Sequence, residues 1–367
     1  MFKIKNIETC IIQVPLLVPL KMSGIHIEHC DNTVVKITAN NGKVGWGEAP
    51  YAPFFNGETS RGMVAAIDFM KDRLQGKEIL QQSDIKDVIS STIYGNSGAK
   101  SAIDMALYDL FGKSEDKPLY ETLGGAKRDK VPMIWLVAGG DDEFKLLAEK
   151  VDQGFVSFKV KVGTNNVHED IERSYQAQRI LDHNYTLSAD ANQGFNRSDA
   201  LIFASKTGDI GLDFFEQPVT GKDIDTMVEC NARSYAPIGV DEGIHNIDDI
   251  KIHHDRKAAN GGSLKMIKFG GVAQLFEAAN LMHSYDMHIN LAGKAANTSI
   301  GSAAIAHFTR ALPSLDWDAS LSSQYLSDDI AENPVKVIEG HIITPDDGPG
   351  LGINIDEDKL NQYSIKL

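Results

Sequence analysis

Five residues able to do metal-assisted proton chemistry recur at near-even spacing in this 367-residue chain. Lys161, which closes the run Lys159-Val160-Lys161, is followed by Asp190, Glu216, Asp241 and Lys265 at intervals of 29, 26, 25 and 24 residues. Three carboxylates brought together make a hard oxygen cage of the kind that holds Mg²⁺ and leaves positions open for water or a substrate oxygen. No Cys or His stands at the equivalent positions, which argues against zinc. Two lysines on either side of such a cage would face a bound substrate from opposite directions. Beside a dication and a second ammonium, a lysine should give up its proton more easily, because like charge disfavours its charged form. The neutral amine could then take the proton α to a carboxylate, while the metal stabilises the enolate left behind.

Each interval has room for one strand, one helix and two short loops, so the five residues should occupy the same place in successive βα units. Phe155 to Phe158, Tyr185 to Ser188, Gly211 to Phe215 and Ile238 to Val240 are short runs rich in β-branched and aromatic residues, each leading into a polar residue named above. Helical patterns such as Ile171, Tyr175 and Ile180 lie between them. The fold class is therefore α/β, with a TIM-type parallel barrel whose C-terminal rim carries the chemistry. A first barrel strand is predicted at Pro132 to Val137, a helix at Val272 to Ser284, a seventh strand at Met287 to Leu291 and an eighth around Leu315 to Trp317.

These residues together resemble the enolase superfamily, in its muconate lactonizing subgroup. That resemblance, which runs over nearly the whole chain, implies a (β/α)7β barrel with an N-terminal α+β capping domain. It implies Lys161 and Lys265 as an acid/base pair, Lys159 as an auxiliary cation, Asp190, Glu216 and Asp241 as Mg²⁺ ligands, and Asn192 and Glu242 beside the substrate. The spacing of Lys265 to Gly271 favours Lys265 over Lys268 as the catalytic amine. Asp316-Trp317-Asp318 resembles the Asp-x-Asp with which dipeptide epimerases hold a substrate ammonium, and Trp317 could stack on a quaternary ammonium. A polar loop beside a helix, with a core Trp, is the alternative. On the seventh strand, His288 to Lys294 replaces the acidic, Met-rich segment of many relatives, a departure from the cycloisomerases.

Residues 1–125 read as the cap, 126–325 as the barrel and 326–367 as a segment packing back on the cap. Within the cap, strands are predicted at Ile4 to Ile12, Thr33 to Thr38 and Val44 to Gly47, the last two joined by a turn at Asn40-Asn41-Gly42. Helices are predicted at Gly62 to Leu74 and Gly98 to Phe111 from their apolar stripes. Two loops, Leu17 to Cys30 and Ala49 to Gly57, would fold over the barrel mouth in the family's manner. Phe54 would then line the far end of the substrate site, or else pack cap against barrel.

A net charge of −15 argues against nucleic-acid and anionic-membrane partners, so an anionic substrate needs the local positive charge of the lysines and the metal. Three scattered cysteines and no long apolar run point to a cytoplasmic protein with reduced thiols. The expected partner is a small carboxylate, the expected cofactor Mg²⁺ and the expected state a homo-oligomer. The reaction expected is racemisation or epimerisation of an amino-acid derivative. The same enolate could instead cyclise or eliminate, and a lysine could alternatively form a Schiff base in a barrel lyase.

Overall fold

The computed structural model describes residues 1–22, 25–53, 55–294, 296–345 and 348–365. In the cap, antiparallel strands Phe2–Ile12, Asn32–Ala39 and Val44–Pro50 form one sheet with Ser364–Ile365 from the chain's end. Phe2, Ile4 and Ile7 are buried along the first strand while Lys3 and Lys5 are exposed, an alternation that turns one face of the sheet to the cap helices. Those helices span Ser60–Leu74, capped by the Thr59 hydroxyl on the Gly62 amide at 3.1 Å, and Ser97–Glu115. The predicted loop after Leu17 is instead a hairpin of Pro15–Met22 and Ile25–His29.

The second unit is a ring of eight parallel strands: Ile134–Val137, Ser157–Lys161, Thr186–Asp190, Phe214–Glu216, Ile238–Val240, Gly261–Leu264, His288–Ala292 and Ala319–Ser320. A parallel bridge between Met133 and Ala319 joins the first strand to the last. Two boundaries differ from the sequence-based prediction. Val131–Pro132 leaves the barrel to pair with His341–Ile343, in keeping with a proline that has no amide hydrogen for a central ladder. The eighth strand starts later than predicted, because Asp318 takes a left-handed backbone (φ 53°) that interrupts the extended run. No described helix is long and apolar enough to cross a membrane.

Two buried cap carboxylates fasten the cap over the barrel by occupying helix N-termini, where unpaired amides favour negative charge. Glu48 accepts from the Thr298 and Gly301 amides at 2.9 and 2.8 Å, at the start of the helix Ser299–Ala311. Asp104 accepts from the Val272 amide at 2.7 Å, at the start of Val272–Ser284. The cap is thereby held over the C-terminal ends of the strands.

Candidate active site

Parallel pairing sets the level of the polar residues. Asp190 is the ladder partner of both Lys161 and Glu216, and Glu216 is the partner of Gly239, two residues before Asp241. Lys159 and Lys161, two apart on one strand, project to the same side. Asp190, Glu216 and Asp241 are all buried, as are Lys159 and Lys265. They line a cavity of about 840 Å³ between barrel mouth and cap, together with Lys161, Asn192 and Glu242.

Each carboxylate meets a lysine. Lys161 Nζ donates to Asp190 Oδ2 at 2.6 Å and to Asn192 Oδ1 at 2.8 Å. Lys159 pairs with Glu216, whose other oxygen accepts from the Ser263 hydroxyl. Lys265 pairs with Asp241, whose second oxygen accepts from Lys268 at 2.9 Å. Burial disfavours the Asp241 anion, but the Lys265 and Lys268 charges prevail and hold its carboxyl well below the usual range. Burial also opposes the charged form of Lys265, yet Asp241, Glu242 and Glu216 outweigh it, and the ammonium is held above its ordinary value. The predicted fall in lysine basicity is therefore not seen at Lys265 with the chain's own charges alone, because three carboxylates surround it.

Lys265 and Lys268 are separated by their surroundings. Lys268 gives its hydrogens to the Asp241 side chain, the Asp241 carbonyl at 2.7 Å and the Ser263 carbonyl at 2.6 Å, and its side chain is fully buried. Lys265 faces the cavity, with its ammonium 4.7 Å from the centroid of the Phe55 ring. Lys268 therefore orients Asp241, and only Lys265 can reach a ligand.

The donor set fits a hard divalent cation. Three buried carboxylates lie on adjacent strand ends, and Glu242 Oε2 beside them is buried with no hydrogen-bond partner among the described residues. Burial first, then the Asp241 and Asp190 charges, push the Glu242 carboxyl up to about 8. Among the described residues no three such side chains already converge on one cation-sized point; their oxygens are turned to the ammonium groups.

Other predicted positions are placed differently. Phe54 lies outside the described residues, and its neighbour Phe55 meets the site, its carbonyl 3.2 Å from His245 Nε2. Asp316, Trp317 and Asp318 do not line the cavity, which corrects their reading as substrate contacts. They precede the eighth strand and so lie at the barrel floor, where Trp317 stacks on Phe214 at 4.2 Å and Asp316 pairs with His288. The residues after them, Ser320 to Ser322, reach the cavity instead. Sequence reasoning passed over Gln217, fully buried with φ 38°, whose Oε1 accepts from the Asp241 amide at 2.8 Å and the Gly243 amide at 3.1 Å. Its place directly after Glu216 was the available signal.

Fold and site together define a capped β/α barrel with a carboxylate and lysine cluster at its C-terminal mouth. Residues 6–124 match the N-terminal domain of the mandelate racemase/muconate lactonizing enzyme family, and residues 143–359 match the enolase C-terminal domain-like family. The chain belongs to this branch of the enolase superfamily and is an isomerase of that group. It is 31% identical to the L-Ala-D/L-Glu epimerase of Bacillus subtilis over 96% of each chain. It is 28% identical to the N-succinyl-L-Arg/Lys racemase of Bacillus cereus, over 99% of this chain and 98% of that one. Among solved structures, the muconate lactonizing enzyme of Pseudomonas fluorescens complexed with muconolactone superposes with a TM-score of 0.94 at 28% identity, covering 99% of this chain and 100% of that one.

Proposed function

We propose that the protein is a Mg²⁺-dependent racemase or epimerase of an amino-acid derivative, acting by removal and return of the proton α to a carboxylate. The observation that carries this reading is the placement of Lys161 at the end of the second of eight strands and Lys265 just beyond the sixth. Four strands apart in an eight-membered ring is the opposite side, so the two amines reach opposite faces of a ligand between them. Asp190, Glu216 and Asp241 are the residues to hold Mg²⁺, which when bound supplies positive charge beside the substrate carboxylate as negative charge grows there. One lysine takes the α-proton and the other, as ammonium, returns a proton from the far side, which inverts the centre. The roles exchange for the opposite enantiomer. Lys159, held on Glu216, adds a third positive charge, and Asn192 orients Lys161. The names of the racemase and epimerase relatives agree with this reading.

Cycloisomerisation is the second reading, supported by the 27% identity to the chloromuconate cycloisomerase of Cupriavidus pinatubonensis. It needs proton transfer on one face only, and the departure at His288 to Lys294 counts against it. The deciding experiment is proton NMR in D₂O with Mg²⁺, using each enantiomer of a panel of N-acyl amino acids and dipeptides. Lys161→Ala and Lys265→Ala should each cut α-proton exchange, about 10²- to 10⁴-fold, most strongly for the enantiomer whose proton that amine removes. Exchange at the wild-type rate in both variants would overturn the acid/base assignment.

A further inference from the structure

The two facing lysines are seated differently. Lys265 stands just beyond its strand, in the turn where Lys268 bonds back to the Ser263 carbonyl. Lys161 is the last residue of its strand, Ser157–Lys161, and the ladder between that strand and the first ends one residue earlier, at Val137 and Val160. Beyond that pair the Lys161 carbonyl accepts from a side chain, Arg173 Nη1, at 2.9 Å. Arg173 belongs to the helix Val167–Leu181 that follows the second strand. Its Nε and Nη2 donate to the two oxygens of Glu143 at 2.9 and 2.7 Å, a forked pairing that suits a guanidinium and not an ammonium. Glu143 opens the helix Glu143–Asp152 after the first strand. Arg173 Nη1 also donates to Asp170 Oδ1 at 3.0 Å, and Asp170 Oδ2 accepts from the Gly163 amide at 2.7 Å. Both carboxylates are buried, and all three residues lie behind the cavity wall, outside the set that lines it.

A buried arginine between two carboxylates is ordinarily scaffold, costly to break and silent in the chemistry. This one ends on the backbone at and just after Lys161, at the Lys161 carbonyl and the Gly163 amide. From the other side the same turn is closely packed: a Cβ on Gly163 would come within 2.9 Å of the Ala191 carbonyl oxygen, in the loop whose Asn192 accepts from the Lys161 ammonium. A shift of this turn therefore moves the Lys161 amine, whereas Lys265, four strands away, draws on other supports. A displacement of about 1 Å at a reacting group can cost about 10²-fold in rate. We infer that Arg173 is a positioning residue for Lys161: with Glu143 and Asp170 it fixes the end of the second strand, and with it the reach of one amine and not the other. That role rests on the α-proton reading above for what Lys161 does.

The test is α-proton exchange in D₂O with Mg²⁺, run on N-acetyl amino acids and alanyl dipeptides, each from both configurations at the α-carbon. Lys161→Ala identifies the configuration that Lys161 serves. Arg173→Lys keeps the charge but loses the fork, and it should slow that configuration about ten- to a hundredfold while leaving the other within about twofold of wild type. Glu143→Gln should act in the same sense by about two- to tenfold, and it decides alone if Arg173→Lys does not fold. Arg179→Lys, at an exposed pair with Glu172 on the same helix, should leave both configurations as in wild type. Equal slowing of both configurations, or slowing of neither, would overturn the inference, since a general loss of structure does not choose a face. If Lys161→Ala exchanges normally, or no compound exchanges, the acid/base reading fails and backbone hydrogen exchange decides for Arg173. In Arg173→Lys or Glu143→Gln, residues 158–165 should then exchange about tenfold faster while residues 262–269 keep their wild-type rate. Unchanged rates at 158–165, or equal acceleration of both segments, sink the role.

Discussion

The barrel has two ends built from the same kinds of residue, and only one of them is equipped for chemistry. At the mouth, carboxylates and lysines from six strands, the second to the seventh, face a large cavity, and among the described residues Glu242 Oε2 and the Lys294 ammonium have no hydrogen-bond partner. At the floor, Asp316 and His288 also pair, but Trp317 fills the space between them and the barrel axis, stacked on Phe214 at an interplanar angle of 8° and 5.0 Å from the His288 ring. A side chain at Gly261 would come within 2.7 Å of Trp317, so the strand carries glycine where the ring passes. The two ends are joined by Asn290, fully buried, which donates to the carbonyls of Trp317 and Asp318 at 2.9 Å and meets the Ser263 hydroxyl that also contacts Glu216. Charged pairs become a site where space and unmet valence remain; where an aromatic ring closes the space, they are scaffold.

The largest effect that can break this comparison is metal removal. Chelation should take α-proton exchange to background and added Mg²⁺ should restore it. Independently of turnover, Mg²⁺ at a hundred times its Kd should stabilise the fold by about 2.7 kcal/mol. Asp190→Asn should weaken that stabilisation, whereas Asp316→Asn, at the floor, should leave it as in wild type. An equal response to Mg²⁺ in wild type and Asp190→Asn would place the cation somewhere other than the mouth. Next in size is the floor itself. Trp317→Ala should cost about 3–5 kcal/mol in urea unfolding, the usual price of removing a buried aromatic side chain. A loss below about 1 kcal/mol would mean that the ring is not what fills the floor.

The mouth was more legible in the sequence than the floor, for a physical reason. Parallel strands in a barrel repeat with a nearly fixed period, so Lys161, Asp190, Glu216, Asp241 and Lys265 announce their common level by spacing alone. The eighth strand could not be placed this way, since two residues suffice for it and the left-handed turn at Asp318 sets where it begins. A shift of that size moves a side chain from one end of a short strand to the other, so Asp316-Trp317-Asp318, for all its resemblance to a substrate-binding Asp-x-Asp, falls at the floor. Lys268 and Gln217 were obscure for another reason: their work is done on Asp241, through bonds that depend on three-dimensional closeness across strands. Lys294 is visible in the sequence as a departure from a pattern, but that its ammonium has no partner among the described residues is a property of the folded pocket.

The smallest effect sharpens the comparison by removing one charge from the floor. Asp318 is pushed up to about 6 by burial first, against the hydrogen bond from Ser157, with the Asp213 charge adding to the rise. A carboxyl whose folded pKa lies above its unfolded value favours the folded state while protonated, so its contribution is fully present below pH ~4 and is lost as pH rises through ~6. Above that range the buried anion is a net cost. Asp318→Asn keeps the shape, accepts the left-handed backbone at φ 53° and carries no charge. At pH 8 it should be more stable than wild type by about 1–2 kcal/mol after allowance for partial solvent access, and the gain should disappear below pH ~4. Urea unfolding at the two pH values reads this directly. A gain that persists at low pH would assign it to packing or backbone preference, and the charge at the floor would then be as well accommodated as those at the mouth.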